Sequence, residues 1–237
     1  MRIRAQGEGG VVVELGEGID PAVNARVHQL ARAMTARLGG EIVEVVPSYR
    51  SLLVIHDPLR TSRDRVVEVV EALVEALEGG PVPAPGRMVR IPTCYGPAHS
   101  PDLAEVARLS GLAVEEVVRR HAGPSYLVHF LGFTPGFPYL GGLDPSLATP
   151  RLDSPRARIP AGSVAIGGVQ TGIYPMESPG GWRIVGRTPL RLFDPRAARP
   201  FLLAPGDGLR FVPIDEATFD AIAAAVESAR YAAEVEA

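Results

Sequence analysis

Hydrophobic positions along the first 80 residues switch between two periods. Residues 2–6 and 11–15 alternate like short strands around a glycine-rich turn at 7–10. Asp20-Pro21 then has the form of a helix cap with proline at the first helical position. Val23, Val27, Leu30, Ala31, Met34 and Leu38 follow at helical spacing, until Gly39-Gly40 stops the run. Residues 41–46 and 51–56 read as two more strands joined by Pro47-Ser48-Tyr49-Arg50. Thr61 or Ser62 opens a second helix that buries Val66, Val67, Val70, Leu73, Val74 and Leu77 and ends at Gly79-Gly80. The order strand, strand, helix, strand, strand, helix predicts a small α/β sandwich with its helices on one face of the sheet.

Gly80-Pro81-Val82-Pro83-Ala84-Pro85-Gly86 is hostile to helix and strand alike, and it marks a boundary. The pattern therefore predicts a domain over 1–80, a linker over 81–86 and a second domain over 87–237. In that second domain, 88–94 reads as a strand and Ser100-Pro101-Asp102 as the cap of a short helix ending near Gly111. A second helix runs from about 113 to 121. From Tyr126 onward, short apolar segments are broken every few residues by Gly or Pro, which is the pattern of a small β-barrel or β-sandwich. Phe219, Ile222, Ala223 and Val226 predict a closing helix. The fold class is α+β.

Composition narrows the chemistry. All 24 basic side chains are arginine, so Schiff-base and P-loop lysines are excluded. What remains is a set of planar cationic forks suited to carboxylate or phosphate. The net charge of −3 carries no electrostatic footprint for nucleic acid. A single cysteine, Cys94, excludes an intrachain disulfide and a multi-cysteine metal site, and a buried thiol is expected there. The five histidines have no metal-ligand spacing, and each reads as a core or surface side chain. The first ten residues hold no apolar stretch, and the run 221–226 is too short to cross a bilayer. A cytoplasmic protein without membrane contact is the expectation.

Three stretches are conformationally expensive. Residues 129–142 set aromatics among glycines and prolines, either as the lip of a pocket or as a loop packing its own rings. Residues 150–164 place arginines between prolines, either as anion forks or as a solvated loop. Residues 167–175 offer uncharged hydrogen-bonding groups on a glycine-rich backbone. No carboxylate pair stands at the spacing of an acid–base couple, so no catalytic residue is assigned.

Taken together, these motifs resemble one family. They are Cys94-Tyr95-Gly96 with Pro101-Asp102-Leu103, then Gly132-Phe133-x-Pro135-Gly136-Phe137-x-Tyr139-Leu140, Pro150-Arg151 and Pro160-Ala161-Gly162-Ser163-Val164. Gln170-Thr171-Gly172-Ile173-Tyr174-Pro175, Ser178-Pro179-Gly180-Gly181-Trp182 and Gly186-Arg187-Thr188-Pro189 complete the set. The chain is similar to the KipI family, whose members are called the 5-oxoprolinase B subunit, allophanate hydrolase subunit 1 or inhibitors of a sporulation histidine kinase. The resemblance implies that the second domain is a cyclophilin-like β-barrel. It further implies work within a complex that uses ATP to open 5-oxoproline to glutamate. The implied partners are the 5-oxoprolinase C subunit and a third, lactam-utilisation protein. Alternatives within the family are inhibition of a histidine kinase, and carboxyl transfer to urea or a related amide. A lactam acid needs an anion fork, amide-reading groups and an apolar wall. Arg151, Arg156, Arg158 and Arg187 are candidates for the fork. Gln170, Thr171 and Tyr174 are candidates for the amide, and Phe133, Phe137 and Tyr139 for the wall. The three stretches are expected to converge on one concave face.

Overall fold

A computed structural model of the chain describes residues 1–77, 80 and 86–236. Gly79 and residues 81–85 of the expected linker lie outside the described residues. The chain divides into two compact units, Met1–Ala84 and Pro85–Ala237.

In the first unit β1 (Arg2–Gln6), β2 (Gly10–Glu14), β3 (Ile42–Pro47) and β4 (Ser51–His56) form an antiparallel sheet in the order β1-β2-β4-β3. Two helices, α1 (Pro21–Leu38) and α2 (Arg63–Leu77), pack on it. The Asp20 carboxylate accepts from the N–H groups of Ala22 and Val23 at 2.7 and 3.1 Å, satisfying two donors that the helix start leaves open. Period-two alternation then places Val11, Val13, Leu52 and Val54 against Val27, Leu30 and Met34 of α1 and Val66 and Val70 of α2. Asn24, buried on α1, donates its amide to the carbonyls of Ser48 and Tyr49 at 2.9 and 3.2 Å and ties the β3–β4 turn to the helix.

The second unit begins with β5 (Met88–Cys94), α3 (Leu103–Ser110), α4 (Val114–Ala122), β6 (Tyr126–Leu131), β7 (Pro138–Gly141) and a 3₁₀ turn at Pro145–Leu147. It continues through β8 (Arg156–Ile159), β9 (Ser163–Gly167), β10 (Gln170–Ile173), β11 (Ser178–Gly180), β12 (Arg183–Arg187), β13 (Gly208–Ile214), α5 (Glu216–Glu227) and β14 (Val235–Glu236). Seven strands, in the order β12-β9-β10-β7-β6-β13-β5, close into a barrel where Arg187 of β12 pairs with Cys94 of β5. One neighbouring pair, β13 with β5, is parallel. Register shifts at Val128/Phe130 and Ile184/Gly186 mark irregularities that bend the wall. The barrel is filled by Ile91, Tyr126, Val128, Leu140, Val164, Ile166, Ile173, Leu209 and Phe211. Among the described residues, no helix is long and apolar enough to cross a membrane.

One expected local role differs. Asp102 stands at the N-cap position of α3 but makes no side-chain cap. Its carboxylate instead accepts the Arg156 fork at 2.7 and 2.8 Å and the N–H of Ile184 at 2.7 Å. A charged fork outcompetes a neutral N–H for a buried carboxylate.

Candidate functional site

Alternation along β7, β9 and β10 builds two faces from adjacent residues. Leu140, Ile166 and Ile173 enter the barrel core, whereas Tyr139, Ala165 and Tyr174 join a separate cluster with Phe137, Ile159, Trp182 and Ile184. This second cluster lies against the barrel's outer wall, next to the two-stranded ribbon of β8 and β11. Glycines make room for its rings. A Cβ at Gly172 would sit 2.8 Å from the Phe137 ring, and one at Gly167 would sit 2.6 Å from the Trp182 indole. The rings pack edge to face, with Phe137 centred 5.2 Å from Tyr139, 5.3 Å from Tyr174 and 5.4 Å from Trp182.

A cleft of about 100 Å³ opens over this cluster, lined by Phe133, Phe137, Tyr139, Arg151, Tyr174, Gly180, Gly181 and Trp182. The Arg151 guanidinium lies 5.7 Å from the centroid of the Trp182 ring. Its backbone is clamped from both sides. Thr149 and Gly168 exchange N–H···O bonds at 3.2 and 2.7 Å, and Leu152 donates to the carbonyl of Gly181 at 2.7 Å. Arg183 Nε also donates to the carbonyl of Pro150 at 2.9 Å. Burial raises the pKa of the Tyr139 and Tyr174 phenols, while the Arg151 charge pulls the other way. Both therefore stay protonated at neutral pH. The cleft thus offers one positioned cation, two phenols and an apolar floor.

The expected convergence holds for Phe133, Phe137, Tyr139, Arg151 and Tyr174 and fails for the other five residues. Arg156 is held in its two-pronged bond to Asp102. Arg158, with 77% of its side chain exposed, pairs with Glu177 at 2.9 and 3.0 Å. Arg187 donates to the carbonyl of Ala161 at 2.9 Å, stacks over Phe219 and lines a separate groove of about 410 Å³ along α5. Gln170 opens β10 opposite Gly167, outside the cleft lining.

Thr171 points into the barrel, because it is buried and pairs in register with Leu140, whose side chain is in the barrel core. Its hydroxyl donates to the carbonyl of Ala165 at 3.0 Å and lies 2.9 Å from His121 Nε2. A hydroxyl has one proton, so Nε2–H must donate to Thr171 and Nδ1 must accept from Tyr95, 2.8 Å away. Tyr126 O–H donates to the carbonyl of His121 at 2.7 Å. His121 is a fully satisfied, neutral core histidine whose pKa burial lowers to about 3.

Two other places are less suited to a small anion. An open depression of about 460 Å³ is lined by Arg119 and Arg120, and both are paired with Glu116 at 2.6 Å. Cys94 is buried, accepts the N–H of Gly96 and has its pKa raised by burial. Among the described residues, no group of three or more His, Cys, Asp or Glu is placed to hold a metal ion. Trp182, Gly180 and Gly181 line the cleft but were not among the candidates drawn from the sequence. The Gly180-Gly181-Trp182 string carried the signal, since adjacent glycines beside a tryptophan provide ring space and backbone access together.

This geometry has relatives. The family model for the carboxyltransferase domain, subdomain C and D, matches residues 1–203. The 5-oxoprolinase B subunit of Bacillus subtilis is 40% identical over 234 residues, covering 93% of this chain and 95% of the relative. The 5-oxoprolinase B subunit of Escherichia coli O157:H7 is 44% identical over 211 residues, covering 89% of this chain and 94% of the relative. The crystal structure of TTHA0988 superposes with a TM-score of 0.76 at 40% identity, over 90% of this chain. This chain spans 40% of that longer one. The protein belongs to the carboxyltransferase-domain family, subdomain C and D.

Proposed function

We propose that this chain is the B subunit of an ATP-dependent 5-oxoprolinase, which opens 5-oxoproline to L-glutamate together with a C subunit and a third, lactam-utilisation protein. The observation that carries the reading is the Arg151 guanidinium, on a crosslinked backbone, beside two protonated phenols over an apolar floor, in a cleft of about 100 Å³. That donor set matches a small lactam acid. The Arg151 guanidinium takes the carboxylate as a charge-assisted pair. Phe137 and Trp182 cover the ring methylenes. Tyr139 and Tyr174 are assigned to the lactam oxygen, where a donated hydrogen bond would polarise the amide.

ATP does not fit this cleft. A triphosphate calls for several cations or a row of backbone N–H groups, and the lining supplies one guanidinium. Nucleotide binding therefore belongs to the complex. The lining also contains no carboxylate, histidine or thiol to serve as base or nucleophile. The chain alone is accordingly inactive, and the partners complete the catalytic set.

Reconstitution tests the reading. The complex of all three proteins should release glutamate from 5-oxoproline with ATP, and the purified chain should not. A complete complex that leaves 5-oxoproline intact would overturn it. The family description favours one second reading, carboxyl transfer to urea or a related amide. Carboxylation of urea from carboxybiotin by the same complex would replace the first reading with this one.

A further inference from the structure

Phe133 is built unlike the other walls of the cleft. Its backbone is left-handed, with φ 63°. Across it, Thr134 N–H donates to the Gly132 carbonyl at 2.7 Å. A positive φ spanned by a bond between residues i and i+2 is the strained kind of γ-turn. The loop is closed beneath it by Gly132 N–H to the Phe137 carbonyl and Phe137 N–H to the Thr134 carbonyl, at 3.0 Å each. Glycine would take this conformation without strain. Phenylalanine occupies it instead and leaves 61% of its surface exposed. Two local preferences are broken at one residue, which is the mark of a position kept for something other than folding.

The floor of the cleft cannot adjust. Phe137, Tyr174 and Trp182 are buried and interlocked edge to face. Gly172 and Gly180 admit no Cβ, because the Phe137 ring and the Tyr174 hydroxyl already occupy the space. Among the aromatic residues of the lining, Phe133 alone stands outside the packed cluster. It leans its ring edge-on against Phe137 at 5.6 Å and Tyr174 at 6.4 Å.

We propose that Phe133 sets the ring size the cleft accepts, as the one aromatic wall that is not core. The inference rests on the lactam reading above. With the carboxylate anchored at Arg151 and the ring on the buried floor, an added methylene is read by the Phe133 wall. A single methylene in a tight pocket discriminates by about 10- to 200-fold in kcat/KM.

The experiment compares 5-oxoproline with its six-membered homologue, 6-oxopiperidine-2-carboxylate, in the reconstituted complex. The wild-type complex should prefer the five-membered ring within that range. Phe133→Ala should reduce the preference by about tenfold, through a lower KM for the larger ring, and Phe133→Leu should fall between. Phe133→Gly also removes the ring but suits the backbone angle, so it guards against a folding defect in the alanine variant. An unchanged preference in both the alanine and glycine variants overturns the role of Phe133 while 5-oxoproline turnover keeps the lactam reading. A wild-type complex inert toward 5-oxoproline overturns that reading and this inference with it.

Discussion

The guanidinium of Arg151 and the indole of Trp182 are 5.7 Å apart and are positioned by the same crosslinks. Leu152 donates to the carbonyl of Gly181, and Arg183 donates to the carbonyl of Pro150. The residue after Arg151 thus holds the residue before Trp182, and the residue after Trp182 holds the one before Arg151. The backbones that carry cation and platform are thus held together, which fixes where the fork starts and where the indole lies.

This unit contains its own reporter, because Trp182 is the single tryptophan of the chain. Titrating the full chain with 5-oxoproline should change its fluorescence in a saturable way. Arg151→Ala should remove the response, and Arg158→Ala should leave it intact. Equal responses from both variants would place the ligand away from the cleft.

In the reconstituted complex, Arg151→Ala should lower kcat/KM by about 10- to 100-fold, the equivalent of about 1.5–3 kcal/mol for a lost charge-assisted contact. Arg151→Lys should recover only part of this, since an ammonium cannot reproduce a two-pronged fork. Arg158→Ala should be near neutral, because its exposed pair with Glu177 lies outside the lining. Steady-state kinetics on the three variants decides the assignment, and a loss at Arg158 equal to that at Arg151 would refute it.

The sequence carried the elements well because each has a local cause. Asp20-Pro21 starts α1 as its chemistry dictates, and the period-two runs fall on β2 and β4. The β-barrel was legible as short strands between glycines, and its closure through Arg187 and Cys94 was not, since pairing across 93 positions leaves no local trace. At the site, residue type was a better guide than position. Four arginines looked equivalent along the chain, but three of them already have partners: Asp102 for Arg156, Glu177 for Arg158 and the Ala161 carbonyl for Arg187. Thr171 and Tyr174 stand three positions apart in the sequence, yet Thr171 meets His121 inside the barrel and Tyr174 joins the outer aromatic cluster just past the end of β10.

The Asp102–Arg156 pair should prove structural. Asp102 is nearly buried and also caps the N–H of Ile184, so removing Arg156 leaves a carboxylate without its counter-charge. Arg156→Ala should cost about 2–3 kcal/mol, below the range for fully buried pairs because the arginine is partly exposed. Ligand-induced Trp182 fluorescence should persist in the folded variant. Urea denaturation measures the first outcome. Unchanged stability together with a lost ligand response would return Arg156 to the site.

A neutral histidine, His121, is sealed inside the barrel. His121 ordinarily titrates near 6.5, and burial lowers it to about 3 in the folded chain. Above 6.5 it is neutral in both states, and its contribution to stability is intact. Between 6.5 and about 3 the unfolded chain binds a proton that the folded chain refuses. Stability therefore falls as the pH falls, by about 1.4 kcal/mol per pH unit from this group. Protonation in place is opposed twice. Nδ1 already accepts from Tyr95, and no carboxylate is hydrogen-bonded to the ring to balance the charge. Partly exposed carboxylates such as Glu116 and Asp194, both lowered to about 2 by hydrogen bonds to their partners, add acid sensitivity of the same sign. A reference variant separates the two sources. His121→Gln keeps an amide N–H for Thr171 and cannot titrate. Urea denaturation at pH 7, 6, 5 and 4 should show the variant less stable than wild type at pH 7 but with the shallower decline below 6.5. Parallel declines would mean that His121 charges in the folded barrel and that its network tolerates the proton.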